Sequence, residues 1–261
     1  MSINTPLINV MVLAARKASK SILRDYGEID QLQTSKKGTE GFVKRTDKRL
    51  YKILIEELVK SRPEWSILFR GNNLKKGRDE IYTWILEPLD GIKNITHGIP
   101  YFCISIAAKN QKEVIAGVIF DPLRDEIFIS EKGSGSFVND RRLRVSARKY
   151  IKNAIFSSNL HNADFEIDGK IFTQLERIKK ENGNVRFLGA PALDLAYVAA
   201  GRLDGLWHNY LDFCQIAAGS LIISEAGGII ELKETSSGEI YRKNILACNA
   251  ELHTKLLSIL N

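Results

Sequence analysis

Apolar positions near the start of the chain recur at the spacing of one helix face. They predict an amphipathic helix with one apolar side, made of Leu7, Val10, Met11, Ala14, Ala18, Ile22 and Leu23. A polar stretch over 27–40 predicts a loop. A second helix follows, because apolar residues keep the 3.6-residue period from Leu50 to Leu58 and Pro63 ends it.

After the second helix, short strand-like runs appear, and from residue 99 to residue 130 the pattern turns to β. Trp65–Phe69 predicts a short strand, residues 70–80 predict a loop, and YTWILEPLDG predicts a further strand. FCISIAA, VIAGVIFDP and EIFISEKG are rich in β-branched and aromatic residues and are separated by turn-forming residues, so they predict antiparallel hairpins. SFVNDRRLRVS adds one more turn and strand.

After residue 146, helical and strand-like segments alternate. Helices are predicted over 163–182, 193–200 and 216–225 and at the end of the sequence, and strands over 185–188, 205–208, GGIIEL and NILACN. This alternation predicts an α/β (α+β) fold in which helices and sheets lie in layers. We expect an N-terminal half over 1–145 and a C-terminal half over 146–261, together forming one compact unit.

The composition agrees with a folded protein that has an anionic partner. Of the 261 residues, 44% are hydrophobic and 26% are charged, which excludes a disordered chain, collagen and a coiled coil. Lysine and arginine exceed the acidic residues by 38 to 31, and the net charge of +7 favours phosphate esters, nucleic acid or an acidic protein surface. The densest basic stretches, 44–49 and 141–148, are solvated faces in the simplest interpretation.

Cysteine usage and the N-terminal segment bear on location. Cys103, Cys214 and Cys248 stand far apart without a CxxC pair, which favours a reducing cytoplasm and a role as small core residues. The first apolar stretch is interrupted by Arg16 and Lys17, so it predicts neither a signal peptide nor a membrane span. We therefore expect a cytoplasmic protein with no membrane partner.

Two carboxylates in WILEPLDGIKN are the first candidates for chemistry. Glu87 and Asp90 lie three residues apart at a predicted strand end, where Pro88 fixes the turn and Gly91 lets backbone approach a ligand. Paired acids at a rigid turn can hold a hard cation such as Mg²⁺. An ordinary acidic turn is the alternative for these residues taken alone.

Longer motifs resemble a known family. WILEPLDG followed by NITHGIP is similar to the signature of the inositol monophosphatase family of magnesium-dependent phosphatases, and the likeness continues through AGVIFDPLRDEIFISEKGSGSFVNDRRLRVS, GAPALDLAYVAAGRLDGLW and IAAGSLIISEAGG. These stretches span 84–228 and resemble most the bacterial extragenic-suppressor (SuhB-like) branch. The resemblance implies a layered αβαβα sandwich, usually homodimeric, in which acidic side chains hold two or three Mg²⁺ ions that bind phosphate and activate an attacking water.

Several metal and water positions of that family carry different residues in this sequence. Where the resemblance implies a first metal-binding glutamate, the chain has Arg70, and no acid occurs over 65–78. Where it implies a late metal-binding aspartate, the chain has Gln215, and Asp212 three residues upstream is a weak substitute. The hydroxyl residue that orients the attacking water is Ile92, whose side chain has neither a donor nor an acceptor.

Other positions are kept or changed less. The resemblance implies metal ligation by Glu87, by the Leu89 carbonyl and by Asp90, although the extra methylene of Glu87 moves its carboxylate by about 1.5 Å and Mg²⁺ demands near-ideal geometry. Asp47 matches the acid that supports the metal-bound water, and Lys36 or Lys37 could touch phosphate or be solvated loop lysines. Contacts with substrate or phosphate are implied for Gly91, Ile92, Ala190, Asp194 and His208.

Charge determines what these changes mean for metal binding. Four acidic side chains at the metal positions would give the ions a total ligand charge of about −4. The side chains at the same positions here sum to about −1, and they are Arg70, Glu87, Asp90 and Gln215. At an effective dielectric constant of ~20, one unit charge ~4 Å away changes the energy of an ion by roughly 4 kcal/mol, or nearly three decades of affinity. We therefore expect Mg²⁺ to bind weakly or not at all, and Arg70 to be able to bind phosphate directly.

Three functional hypotheses follow. The first is a family member whose phosphomonoesterase activity is weak or lost, retained for binding a phosphorylated small molecule or free phosphate, or for a regulatory role with a transcription-complex protein or RNA. The second is an active inositol-1-phosphate or sugar-phosphate phosphatase with Glu87, Asp90, Asp47 and Asp212 around one metal. The third is an RNA-binding module with a basic surface.

Overall fold

The elements of the chain stack as five layers in the order helix, sheet, helix, sheet, helix. A computed structural model describes residues 5–33, 39–70, 73–159, 165–234 and 242–260. Lys36 and Lys37 lie outside these residues. The predicted αβαβα sandwich is confirmed by the contacts between neighbouring layers.

The first layer is a pair of helices, α1 (Pro6–Gln33) and α2 (Glu40–Ser61). Their apolar faces pack on the first sheet, where Leu54 and Trp84 are fully buried in one core. The prediction of a loop over 27–40 was wrong for residues 27–33, because these residues belong to α1. Ile29 is buried in the same core, and such packing outweighs the polar residues around it.

The second layer is an eight-stranded sheet in the order β2-β1-β3-β4-β5-β6-β7-β8. Its strands are β1 (Ser66–Phe69), β2 (Asn73–Lys75), β3 (Thr83–Asp90), β4 (Cys103–Lys109), β5 (Val114–Asp121), β6 (Glu126–Glu131), β7 (Ser136–Val138) and β8 (Arg141–Arg142). The predicted hairpins β4–β5 and β5–β6 are confirmed. The prediction of a loop over 70–80 was wrong at β2. Its polar residues did not indicate a strand, because β2 is an exposed edge strand. β1 lies parallel to β3, so their carboxyl ends meet at one edge.

The middle layer consists of α5 (Pro191–Ala199) and α6 (Phe213–Glu225), which contact both sheets. Gly117 of β5 permits the close approach of α6, because a Cβ at that position would lie 2.9 Å from the carbonyl oxygen of Ala218. The core that surrounds these helices is shared by both sheets. The middle layer therefore joins the two halves of the chain.

The remaining layers belong to the C-terminal half. A five-stranded sheet in the order β10-β9-β11-β13-β12 is formed by β9 (Ile155–Ser158), β10 (Asn184–Arg186), β11 (Gly205–Asp212), β12 (Ile229–Glu234) and β13 (Arg242–Cys248). The helices α4 (Phe165–Lys180) and α7 (Ala250–Leu260) cover its outer face around Phe156 and Trp207. A short helix α3 (Ile92–Thr96) follows β3, and a 3₁₀ turn (Ile151–Asn153) precedes β9. Within the described ranges, no helix is long and apolar enough to cross a membrane.

Candidate active-site cleft

The candidate site is a cleft of about 520 Å³ at the ends of β1, β3 and β11. Both halves of the chain line it, with Arg70, Glu87, Leu89, Asp90, Gly91, Ile92, Lys93, Asn94, Gly189, Pro191, Asp212 and Gln215. The structure thus brings together every metal position that the family resemblance implied. Asp47, on the buried face of α2, reaches the cleft through its contact with Arg70.

The turn after β3 carries two carboxylates into the cleft. The register between β3 and β4 shifts between Glu87 and Asp90, and Gly91 follows with a φ of 91°. A Cβ on Gly91 would lie 2.8 Å from the carbonyl oxygen of Tyr101, so the turn requires glycine both for its backbone angle and for space. The chain then enters α3 directly, with Ile92 half-buried at its start.

Arg70 puts a positive charge among the acids of the cleft. It follows β1, and because Phe69 is in register with Leu86, Arg70 lies beside Glu87. Its Nη2 donates to Asp47 Oδ1 at 2.5 Å, and its Nε lies 3.7 Å from Glu87 Oε1. Its φ of 36° is left-handed, which is uncommon for a residue other than glycine. The guanidinium therefore bridges a helix and a strand that are distant in sequence.

Asp90 is held by hydrogen bonds from two helix N-termini. Its Oδ2 accepts from the backbone N–H of Ala192 at 2.7 Å, and its Oδ1 accepts from Nε2 of Gln215 at 3.1 Å. The same Gln215 accepts from the backbone N–H of Asp212 at 3.2 Å, while Asp212 accepts from the N–H of Cys214 at 2.9 Å. The Asp212 side chain also accepts from the backbone N–H of Gln215, and the two residues thereby form a capping box at the start of α6. Asp90 is thereby fixed in position by groups that donate hydrogen bonds.

Burial makes the acids of the cleft easier to protonate. It raises the pKa of Asp47, although Arg70 opposes the shift. Burial and the neighbouring Asp90 raise the pKa of Glu87 well above its ordinary value. Burial raises the pKa of Asp90 to about 6, against the opposing hydrogen bonds from Ala192 and Gln215. A proton therefore competes with a cation for these carboxylates at higher pH than it would for carboxylates in water.

The donor set of the cleft does not fit the group of Mg²⁺ ions that the resemblance implies. Mg²⁺ takes oxygen ligands in near-ideal octahedral geometry. Here a guanidinium contacts Asp47 and lies near Glu87, and N–H groups donate to both oxygens of Asp90. In the part of the chain that the structure describes, no three Asp, Glu, His or Cys side chains are grouped so that they could hold a metal ion.

Three predicted substrate contacts lie behind the wall of the cleft. Ala190, Asp194 and His208 are at most 1% exposed and do not line the cavity. Asp194 accepts from the hydroxyls of Tyr101 at 2.6 Å and Ser157 at 2.5 Å, and Nε2 of His208 lies 3.4 Å from it. In this conformation they form a buried polar cluster, and their contact with substrate stays a prediction.

Sequence reasoning missed Lys93 as a residue of the cleft. It is exposed on α3 and lines the cavity together with Arg70. The sequence did carry a signal for Lys93, because it directly follows the turn of Asp90 to Ile92. A residue in the first turn of a helix that begins at a cleft lies close to that cleft. Among the residues that the structure describes, two cations therefore line a cleft in which Glu87 and Asp90 are buried and Asp212 is half-buried.

Comparisons with known proteins agree on one family. Residues 3–261 match the sequence profile of the Inositol monophosphatase family. The chain is 44% identical over 222 residues to the inositol-1-monophosphatase of Rhizobium meliloti (85% of this chain, 84% of the relative) and 32% identical over 253 residues to the Nus factor SuhB of Escherichia coli (97% and 95%). A crystal structure of the extragenic suppressor protein suhB from Bartonella henselae is 40% identical with a TM-score of 0.87, over 98% of this chain and 99% of that one.

Proposed function

Because the chain belongs to the inositol monophosphatase family, we propose that it keeps the phosphate-binding cleft of that family while its phosphomonoesterase activity is weak or lost. One observation carries this proposal. The guanidinium of Arg70 lies 2.5 Å from Asp47 and 3.7 Å from Glu87, among the acids that would otherwise surround a metal ion. The cleft supplies its own cation, so a divalent ion gains less there than in a cleft of free carboxylates.

The loss of hydrolysis follows from two features of the same cleft. Gln215 contributes an amide where a further carboxylate would add negative charge, and its N–H₂ group donates to Asp90. Ile92 lines the cleft without a donor or acceptor that could orient a water. Binding of phosphate does not depend on either feature, whereas metal-assisted attack of a water depends on both.

Recognition of phosphate rests on Arg70 and Lys93. A guanidinium presents paired N–H donors that match phosphate oxygens, and a lysine ammonium adds a point charge. Arg70 is 38% exposed, so part of it is accessible from the cleft while Nη2 stays with Asp47. The ligand class is a phosphorylated small molecule or free phosphate.

The proposal includes a role other than turnover. Relatives at 31–35% identity are named Nus factor SuhB, which favours a regulatory role with a transcription-complex protein or RNA. A homodimer and a cytoplasmic location, both expected from the sequence, belong to the same proposal. The active phosphatase with Glu87, Asp90, Asp47 and Asp212 around one metal is the competing proposal, favoured by the relatives named inositol-1-monophosphatase.

Calorimetric titration separates these proposals. We expect inorganic phosphate and myo-inositol 1-phosphate to bind equally well with and without several millimolar Mg²⁺, and Mg²⁺ alone to give no heat of binding. Arg70→Ala should weaken phosphate binding about tenfold, since a charge-assisted hydrogen-bonding group is lost. Arg78→Ala is the matched control, because Arg78 is 90% exposed and does not line the cleft.

A gain-of-function variant and an activity assay complete the test. Replacing Arg70 by Glu, Glu87 by Asp and Gln215 by Asp fills the positions that the resemblance assigns to acids, and this triple variant should take up Mg²⁺. Tight Mg²⁺ uptake by the unaltered protein, or release of phosphate at a rate above that of Asp90→Asn, would reject the proposal and favour the active phosphatase.

A further inference from the structure

A small cavity lies between the outer face of the second sheet and the helices α4 and α7 that cover it. Its volume is about 100 Å³. Lys233 on the edge strand β12 is exposed, so the cavity reaches solvent at that edge of the sheet. We call it the outer cavity, and its wall includes Trp207, Glu231, Lys233, Asn244, Leu246 and Leu257.

The strand register arranges the sheet side of the outer cavity in two rows. Lys233 of β12 lies directly opposite Asn244 of β13. Two residues along and on the same face, Glu231 lies opposite Leu246, which in turn lies opposite Trp207 of β11. Side chains that are opposite each other on neighbouring strands are close enough to interact. An ammonium group and an amide are therefore neighbours in one row, and a carboxylate is the neighbour of apolar side chains in the next.

The first row is suited to a carboxylate ligand. Oδ1 of Asn244 accepts from the backbone N–H of Tyr210 at 3.0 Å, which leaves the N–H₂ group of Asn244 to donate elsewhere. Within the described part of the chain, no carboxylate forms a salt bridge with Lys233. A charged donor and a neutral donor side by side match the two oxygens of a carboxylate.

The second row supplies the opposite charge. Oε1 of Glu231 lies 2.9 Å from Nε2 of His253 on α7, and the Glu231 side chain is 30% exposed. An ionised carboxylate has about four acceptor sites on its two oxygens, so one contact leaves room for a ligand ammonium group. The charges of Glu231 and Lys233 sum to zero. The wall therefore favours a ligand that carries one positive and one negative charge.

The rest of the wall is mainly apolar and limits the size of the ligand. Trp207 and Leu246 are 3% and 8% exposed on the sheet side, and Leu257 and Leu260 come from α7. A dry apolar cavity of roughly 150 Å³ holds benzene, which has about six carbon atoms. By the same measure, the 100 Å³ of the outer cavity has room for a side chain of about four carbon atoms.

We propose that the outer cavity binds a free apolar α-amino acid of the size of leucine. The ligand carboxylate contacts Lys233 and Asn244, the ammonium group contacts Glu231, and the side chain packs on the apolar wall. A phosphate ester or a fatty acid has no ammonium group for Glu231, and a polyol would place hydroxyl groups against apolar side chains. Among the described residues, the outer cavity shares none with the cleft, so this inference does not rest on the proposed function.

Titration calorimetry of the full chain with four small probes tests this proposal. We expect L-leucine to bind. The same carbon chain without the ammonium group (4-methylpentanoate) or without the carboxylate (3-methylbutylamine) should bind about tenfold more weakly, because a charge-assisted contact is lost. Glycine should also bind about tenfold more weakly, because it buries no side chain.

Nuclear magnetic resonance identifies where L-leucine binds. The chain has three tryptophans, and the indole N–H resonance of Trp207 is assigned by its loss in Trp207→Phe. This resonance should shift when L-leucine is added, because Trp207 lines the outer cavity. The resonances of Trp65 and Trp84 should stay unchanged, because neither residue lines it.

Two substitutions test the assigned contacts. Lys233→Gln should weaken L-leucine binding about tenfold without weakening 3-methylbutylamine, which has no carboxylate. Glu231→Gln should weaken L-leucine binding about tenfold without weakening 4-methylpentanoate, which has no ammonium group. Lys20→Gln and Glu28→Gln are the matched controls, because they make the same changes at exposed positions of α1, and they should leave all affinities unchanged.

Three results would overturn the proposal. One is the absence of any heat of binding for L-leucine at about 10 mM. Another is binding of 4-methylpentanoate or 3-methylbutylamine as tight as that of L-leucine, since the site would then not select an amino acid. The third is L-leucine binding that leaves the Trp207 resonance unchanged, which would place the ligand elsewhere.

Discussion

Two buried residues behind the cleft have pKa shifts of opposite direction. Burial raises the pKa of Asp194 to about 7 and lowers the pKa of His208 to about 3. Ser157 donates its hydroxyl hydrogen to Asp194, so Nε2 of His208, 3.2 Å from Ser157 Oγ, is the donor in that contact. Because of these two pKa values, Asp194 and His208 are both neutral in the folded protein at mildly acidic pH.

These shifts have opposite effects on stability. The folded state keeps the Asp194 proton to higher pH than the unfolded state, where the pKa is 3.8, so this contribution to stability falls as pH rises from about 4 to about 7. The unfolded state protonates His208 below pH 6.5, and the folded state does so only near 3, so that contribution falls as pH drops through this range. Between about pH 4 and about pH 6.5 the two effects cancel.

Replacing either Asp194 or His208 should reveal the pH dependence of stability that the other residue contributes. In Asp194→Asn, the free energy of unfolding should fall on acidification from about pH 6.5 to about pH 4.5 by up to about 1.4 kcal/mol per pH unit more than in the unaltered protein. Urea denaturation at several pH values measures this slope. His208→Gln is the control and should change the slope in the opposite direction. Parallel pH profiles for all three proteins would contradict the pKa assignments.

At the scale of elements, the N-terminus of α6 connects the cleft to the core. Gln215 completes the capping box with Asp212 and also donates to Asp90, so one side chain satisfies the end of a helix and an acid on β3. The other oxygen of Asp90 binds the start of α5. A residue in this position contributes both to the stability of α6 and to the shape of the cleft.

Truncation of this side chain should therefore destabilise the protein. We expect Gln215→Ala to lower the free energy of unfolding by about 1–2 kcal/mol, through the lost cap and a buried carboxyl left with one partner fewer. The urea midpoint at constant m-value is the measurement. Gln111→Ala is the control, because Gln111 is exposed and its change should stay within about 0.5 kcal/mol. Equal effects of the two substitutions would show that the capping contacts contribute nothing measurable.

At the scale of the whole molecule, the middle helices make the two halves depend on each other. α5 and α6 contribute to one core that includes residues of both sheets, such as Ile119 and Ile245. Neither sheet could keep its inner face buried without them. The halves expected at 1–145 and 146–261 should therefore unfold together.

Tryptophan fluorescence can test this cooperativity, because the tryptophans are divided between the halves. Trp65 and Trp84 lie in the N-terminal half and Trp207 in the other. In Trp207→Phe, fluorescence reports on the first half, and in Trp65→Phe/Trp84→Phe it reports on the second. Within each variant, fluorescence and far-UV circular dichroism should give the same urea midpoint. Separate midpoints would mean that the halves unfold independently.

Most elements and the metal positions of the cleft could be predicted from the sequence, whereas Lys93 was not predicted. The apolar period of α2 and the alternation in β4, β5 and β6 are local signals, and the motif around Glu87 and Asp90 fixed the position of the cleft. The predicted secondary structure was wrong where polar residues suggested a loop but tertiary contacts form a helix or a strand. The end of α1 looks like a loop but is held by Ile29, and β2 is a polar edge strand that exists because β1 pairs with it.

The sequence by itself determined the family, the layered fold and the metal positions that line the cleft, because periodicity and motif spacing can be read along the chain. Only the tertiary structure decided which charges meet. Arg70 contacts Asp47 across 23 positions, and Asp194 contacts Tyr101 across 93. Electrostatic interactions depend on distance and burial, and the folded chain sets both. That dependence is why the ion pair between Arg70 and Asp47, and the burial of Asp194 in a polar cluster, could be seen only in the folded chain.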